Sequence, residues 1–182
     1  APEHPDVVIT RLTQDLQAGD REAAELRLTE LRQRAPGSSL LKRAETMVHL
    51  YTPEGQQALQ ETRLLAAAGH TEQAASGYQA LFGNEPPDFA LSLEYWRTLS
   101  GVQPKRAQAI RELQELDRQY PGNRELRELL ARLLMSEDRP QEALTTLQAL
   151  ATDPQAREKA AELEYNHLSD LPISQSTVRA LQ

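Results

Sequence analysis

The sequence contains no cysteine among its 182 residues. A disulfide framework, a zinc–thiolate site and a cysteine nucleophile are therefore all excluded. β-Branched hydrophobics are scarce as well, with Val and Ile supplying eight residues together. Strands draw on those residue types, so a β-sandwich or a doubly wound sheet is ruled out. No apolar run approaches the ~20 residues that a membrane-spanning helix needs. Positive charge is not in excess either: the formal net charge is −7, and the 17 Arg are interleaved with Asp and Glu. A phosphate backbone demands a basic stripe, so a nucleic-acid partner is excluded. Glycine is limited to eight residues, with no GxGxxG or GxxxxGK phosphate loop,. His4, His49, His70 and His167 are scattered, and none has a second His three or four residues away,. No nucleophile-elbow pattern is present, and carboxylate pairs such as Glu125 and Glu128 read as solvated helix faces,. No catalytic, cofactor-binding or metal site is expected, and the protein reads as a non-enzyme.

Leu (29) and Ala (24) supply most of the 71 hydrophobic residues. Both enter helices at little cost, so the expected fold is all-α. Aromatics number only eight: one Trp, two Phe and five Tyr. Few large rings and much Ala point to helices packed closely in thin layers, as in a helical solenoid.

Four segments share one skeleton: Ala18–Pro36, Ala68–Pro86, Arg106–Pro121 and Ser136–Pro154. Each carries a small residue, a large one four on, and an apolar one three further. The sets are Ala24, Leu28, Leu31; Ala74, Tyr78, Leu81; Ala109, Leu113, Leu116; and Ala143, Leu147, Leu150. This spacing places each set on one helix face. The closing Pro stops the helix, since it lacks an N–H and disfavours the α region before it. From Ala109 to Ala143 is 34 residues, and from Ala74 to Ala109 is 35. A helix–turn–helix unit of that period is the tetratricopeptide repeat (TPR). Gly19 and Gly69 fall at the turn within the pair, with Pro104 and Asp138 at the corresponding places in the last two units,. First helices are expected at about 5–17, 53–68, 88–100 and 123–136, the second of them announced by the cap Thr52 followed by Pro53 and Glu54,.

The interval from Ala24 to Ala74 is 50 residues, about one helix longer than a repeat. The surplus is 38–51, with Leu41, Ala44, Val48 and Tyr51 on one stripe. An unpaired helix is expected there, and because an odd helix alters the face presented by the next pair, it is a candidate hinge. The predicted fold is a right-handed TPR solenoid of about four to five helix pairs with this extra helix between the first two repeats. Its expected parts are TPR units at 5–37, 53–86, 88–121 and 123–154, the unpaired helix at 38–51, and a truncated partial pair at 155–182. In that last part Ala156, Ala160, Leu163 and His167 share a face. Val178 and Leu181 would lack cover there, and the chain starts at Ala1 without Met, so a piece of a longer array is expected,.

Particular strings are more specific than the skeleton. TPEGQQALQETRLLAAAGHTEQAASGYQALF (52–82), LEYWRTL (93–99), ELDRQYPGN (115–123) and DLPISQSTVRALQ (170–182) occur in that order. They resemble successive parts of the periplasmic TPR region of the bacterial cellulose synthase C family, the cellulose export proteins. The resemblance covers 38–182, while 1–37 matches as a generic TPR unit. It implies a periplasmic scaffold for cellulose synthesis and export, linking the inner-membrane synthase to an outer-membrane pore. The full-length protein would be anchored in the outer membrane by a β-barrel, with this region not membrane-inserted. Implied partners are other subunits of the cellulose synthase complex, with peptidoglycan or nascent glucan as further contacts. The alternative is a TPR adaptor of another envelope or exopolysaccharide secretion system.

By repeat position, Arg63, Glu94, Thr98, Glu128 and Arg132 are expected on the concave protein-binding face. Their mixed charge does not suit a clamp for a C-terminal carboxylate. Sugar stacking needs exposed rings. Tyr78 and Trp96 fall on packing positions, which leaves Tyr95 and Phe89 as the rings expected to be exposed. With so few rings to spare, strong cellulose binding is not expected.

Overall fold

The computed structural model describes residues 3–150. Those residues are all helix and turn. The chain divides into two compact units at Arg106/Ala107. The readings placed on 151–182 lie outside the described residues.

The first unit holds α1 (Pro5–Gln17), α2 (Arg21–Arg34), α3 (Ser39–Leu50), α4 (Pro53–Ala67), α5 (Thr71–Phe82) and α6 (Phe89–Ser100), then a 3₁₀ turn, Gln103–Lys105. Local chemistry sets the helix starts. Asp20, Ser38, Thr52 and Asp88 each accept a hydrogen bond from a first-turn amide, that of Ala23, Leu41, Gly55 and Leu91 respectively,. Pro53 occupies the first position of α4, where its missing N–H costs nothing,. Gly19 and Gly69 close the α1–α2 and α4–α5 turns at φ +76 and +81, a region that a residue without Cβ enters freely,.

The small residues lie where the spacing puts them. Ala24 and Ala74 are buried, and so are their partners Leu28 and Tyr78, whereas Leu31 and Leu81 are half-buried. A first core gathers Ile9, Leu12, Ala24, Leu28, Leu41, Ala44 and Met47. A second is aromatic: Tyr78, Phe82, Tyr95 and Trp96 lie with ring centroids 4.6–6.3 Å apart,.

α3 packs against α1 and α2 on one side and against α4 and α5 on the other. Its buried residues are Leu41, Ala44, Met47 and Leu50, while Val48 and Tyr51 are half-buried. All four residues of the expected stripe face the first core, Val48 and Tyr51 as its partly covered edge, and neighbours on both sides widen the buried face to take in Met47 and Leu50. Arg43 fixes α3 further: its Nη2 donates to Asp6 Oδ1 (3.2 Å) and to the Pro87 carbonyl (3.0 Å), and its Nε donates to the same carbonyl (3.1 Å). One guanidinium thereby ties α3 to α1 and to the α5–α6 connection.

Tyr95 contradicts its expected exposure, being fully buried with its hydroxyl donating to the Gly83 carbonyl at 2.7 Å. Phe89 is half-buried. The single-stripe assumption fails here too. α6 buries Leu91, Leu93, Tyr95, Trp96, Leu99 and Ser100, on more than one side of the helix. Of the two rings expected to be free for sugar, Tyr95 is therefore taken up in packing and Phe89 stays partly open.

The second unit contains most of α7 (Arg106–Gln119), with α8 (Arg124–Ser136) and α9 (Pro140–Gln148). α8 packs against α9. Ala109, Leu113, Leu116, Ala143, Leu147 and Leu150 are all buried. Asp138 takes φ +55 in the α8–α9 turn, the conformation that Gly19 and Gly69 supply earlier.

Candidate functional site

In the first unit, three helices converge on one carboxylate. α4 supplies Arg63, α5 supplies Tyr78 and α6 supplies Glu94. Arg63 Nε donates to Glu94 Oε1 at 2.6 Å and Arg63 Nη2 to Oε2 at 2.9 Å, a bidentate pair,. The Tyr78 hydroxyl donates to the same Glu94 Oε1. Thr98, one turn further along α6, donates its hydroxyl to the Glu94 backbone carbonyl at 3.1 Å. The arrangement staples α4, α5 and α6 at a partly open surface, with the Arg63 side chain 49% exposed and that of Glu94 26%.

Its electrostatics follow from those bonds. Burial pushes the Glu94 carboxyl up, but hydrogen bonds from Arg63 and Tyr78, with the charges of Arg63 and Arg97, outweigh it. The net effect holds Glu94 below the usual carboxylate range,. Burial and the bond to Glu94 push the Tyr78 phenol well above its ordinary value. The bond to Glu94 also raises the Arg63 guanidinium. All three groups are locked in one protonation state near neutrality, which suits a fixed polar surface and not proton transfer.

A lowered folded-state pKa means stability that is present above the unfolded value of about 4.3 and lost as pH falls through the folded value. We expect Glu94→Gln to cost about 1 kcal/mol at pH 7, after allowing for solvent screening of a half-open pair. The deficit should shrink towards zero in urea titrations carried down through pH 4 and below. A deficit unchanged with pH would mean that the charge on Glu94 contributes nothing.

Of the five residues expected on the binding face, the structure brings Arg63, Glu94 and Thr98 together in the first unit. The other two share α8 in the second. Arg124 Nε donates to Glu128 Oε1 at 2.9 Å. Arg132 is exposed and makes no ion pair among the described residues. Sequence reasoning missed two participants. Tyr78 reads as a packing residue, yet its buried ring brings a hydroxyl that needs a partner. Arg127 reads as one more charge on α8, yet it is 9% exposed and its Nε donates to Asp117 Oδ1 at 2.8 Å, pinning α8 to α7. His4 accepts the Asp6 amide at 3.3 Å as the cap of α1. Among the described residues, no group of three or more His, Asp or Glu could hold a metal ion. No helix among them is long and apolar enough to cross a membrane.

Successive helix pairs with a small residue at each close approach define a tetratricopeptide-repeat protein, and the tetratricopeptide repeat family model matches residues 105–164. The chain belongs to the bacterial cellulose synthase operon protein C family and corresponds to its tandem repeat region. It is 39% identical to cellulose synthase operon protein C of Escherichia coli, across all of this chain and 16% of that protein. It is 31% identical to the protein of the same name from Komagataeibacter xylinus, again across all of this chain and 14% of the relative. The crystal structure of the flexible tandem repeat domain of a bacterial cellulose synthase C protein superposes with a TM-score of 0.85 at 39% identity, covering 98% of this chain and 74% of that one. The chain thus spans about a sixth of the length of the first of these relatives. The similarity also extends through residues 1–37, beyond the part of the chain that the specific strings cover.

Proposed function

We propose that this chain is a non-enzymatic, periplasmic TPR scaffold within the cellulose synthesis and export complex. It would hold other subunits of that complex between the inner-membrane synthase and the outer-membrane pore, with the full-length protein anchored in the outer membrane. The observation that carries the reading is the similarity along the whole chain to a tandem repeat domain of a cellulose synthase C protein, at 39% identity. Repeat surfaces of this kind present first-helix side chains to protein partners.

The same reading divides the chain into TPR units at 5–37, 53–86, 88–121 and 123–154, with the partial pair at 155–182. It takes α3 as an unpaired helix at which a right-handed solenoid changes course, in keeping with the flexible character of the related repeat domain. The polar groups argue for where a partner sits. Arg63 and Glu94 are already paired with each other, so their removal affects the fold before it affects a partner. Thr98 is half-exposed beside that pair, and Arg132 is exposed without an ion pair among the described residues; we assign a partner contact to each of them, within its own unit.

The test is co-purification of the other cellulose synthase subunits with the full-length protein. Thr98→Lys combined with Arg132→Glu should lower recovery at least about fivefold, as loss of central contacts does, with the helical circular dichroism unchanged. Recovery equal to that of the unaltered protein would contradict this assignment.

A further inference from the structure

A groove of about 460 Å³ opens in the first unit, where the α1–α2 turn faces the α3–α4 junction. That volume lies within the range of small-ligand sites. Its lining includes the apolar Leu16, Val48, Tyr51 and Pro53. It also includes the polar Arg21, Glu25, Glu54 and Gln56. The groove exists because α3 intervenes: its last turn brings Val48 and Tyr51 opposite the start of α2.

Tyr51 packs against the core of the first unit but is only half-buried, so part of the ring remains available to the groove. Its hydroxyl has no hydrogen-bond partner among the described residues, and the same holds for the side chains of Arg21, Glu54 and Gln56. Some polar side chains of this unit are tied to one another, as with Arg27 to Asp15, Arg43 to Asp6 and Arg63 to Glu94. At the groove a half-buried ring shares the lining with the exposed, unpaired side chains of Arg21, Glu54 and Gln56.

The charges decide the class of ligand. Arg21 and Glu54 oppose each other in sign, and Glu25 is engaged by Arg32 at 3.2 Å. An anion would meet Glu54, and a cation would meet Arg21. A neutral polyhydroxylated ligand meets neither penalty, can use both sets of hydrogen bonds, and lays its C–H face on the ring. We propose that this groove is a binding subsite for a β-linked glucan segment, with Tyr51 as the stacking platform and Arg21, Glu54 and Gln56 as hydrogen-bonding partners for its hydroxyls. The choice of glucan among neutral sugars rests on the proposed role in cellulose synthesis; the groove itself does not. A single ring gives weak binding, suited to a chain that must pass on, and agrees with the shortage of aromatics in the sequence.

The experiment is a titration of the protein with cellohexaose, followed by amide chemical shifts in solution, with maltohexaose in parallel. Shifts should gather on the residues lining the groove, with half-saturation in the low millimolar range and weaker effects from the α-linked sugar. Tyr51→Ala should weaken binding at least about tenfold, as removal of a stacking ring does. Because Tyr51 also touches the core, the double variant Arg21→Ala with Gln56→Ala serves as a second probe. Both side chains are exposed, and their loss should weaken binding at least about threefold with the fold unchanged. No shifts up to the solubility limit of cellohexaose would overturn the proposal. So would shifts outside the groove, or shifts indifferent to the double variant. Shifts with maltohexaose alone would leave a sugar site and refute its assignment to β-linked glucan. The scaffold role is read separately by co-purification of the complex, so either reading can fail without the other.

Discussion

Gly55→Ala should be among the most damaging single-methyl additions in this chain. Gly55 is the third residue of α4, and α4 starts against the last turn of α3. A Cβ at this position would overlap the His49 carbonyl oxygen, lie 2.7 Å from its carbon and sit 3.0 Å from the Leu50 Cα. All three are backbone atoms, so no rotamer change relieves the clash. Alanine is the better helix former by up to about 1 kcal/mol, but overpacking against rigid backbone costs about 1–3 kcal/mol and occasionally more. The clash should win, with a net loss of about 1–2 kcal/mol in urea unfolding. Gly77→Ala is the informative comparison. Its Cβ would meet the Thr62 side chain, with Oγ1 at 2.5 Å, and a side chain can move. Its cost should be the smaller of the two. A Gly55→Ala protein as stable as the parent would mean that α3 and α4 do not approach as described.

Tyr95→Ala should cost about 3–5 kcal/mol, the range for emptying a buried aromatic site. The ring is fully buried and contacts Tyr78, Phe82 and Trp96. Removing it opens a cavity between α5 and α6 and leaves the Gly83 carbonyl without its 2.7 Å partner. Tyr95→Phe separates the two effects: it keeps the ring and loses only the hydroxyl, at about 1 kcal/mol. Equilibrium urea unfolding at neutral pH measures both. A Tyr95→Ala cost below about 1 kcal/mol would instead fit the exposed ring that single-stripe reasoning expects.

The contrast between these residues explains what is legible in the sequence. Helix starts are local: Ser38, Thr52 and Asp88 cap amides only three residues away, so their effects can be read without knowing the fold. The Ala at each close approach is legible through its period, because every repeat meets its neighbour in the same way. The width of a buried face is not local. α3 and α6 have neighbours on more than one side, so Met47, Leu50 and Tyr95 are buried although a single-stripe pattern omits them. The candidate face was half legible for the same reason. Position in the repeat finds Arg63, Glu94 and Thr98, but only the packing of α5 between α4 and α6 brings the Tyr78 hydroxyl to Glu94. The groove beside Tyr51 was not legible at all. It depends on where the last turn of an inserted helix comes to rest, and no periodicity encodes that.

Under the proposed scaffold role, this repeat region holds another subunit of the cellulose synthase complex. Photocrosslinking in cells is the decisive measurement, with a photoreactive residue placed at position 98 or 132 of the region within the full-length protein. The expected result is a covalent adduct between this protein and another member of the cellulose synthase complex from each position. Adducts confined to proteins outside the complex, in cells that still export cellulose, would contradict it.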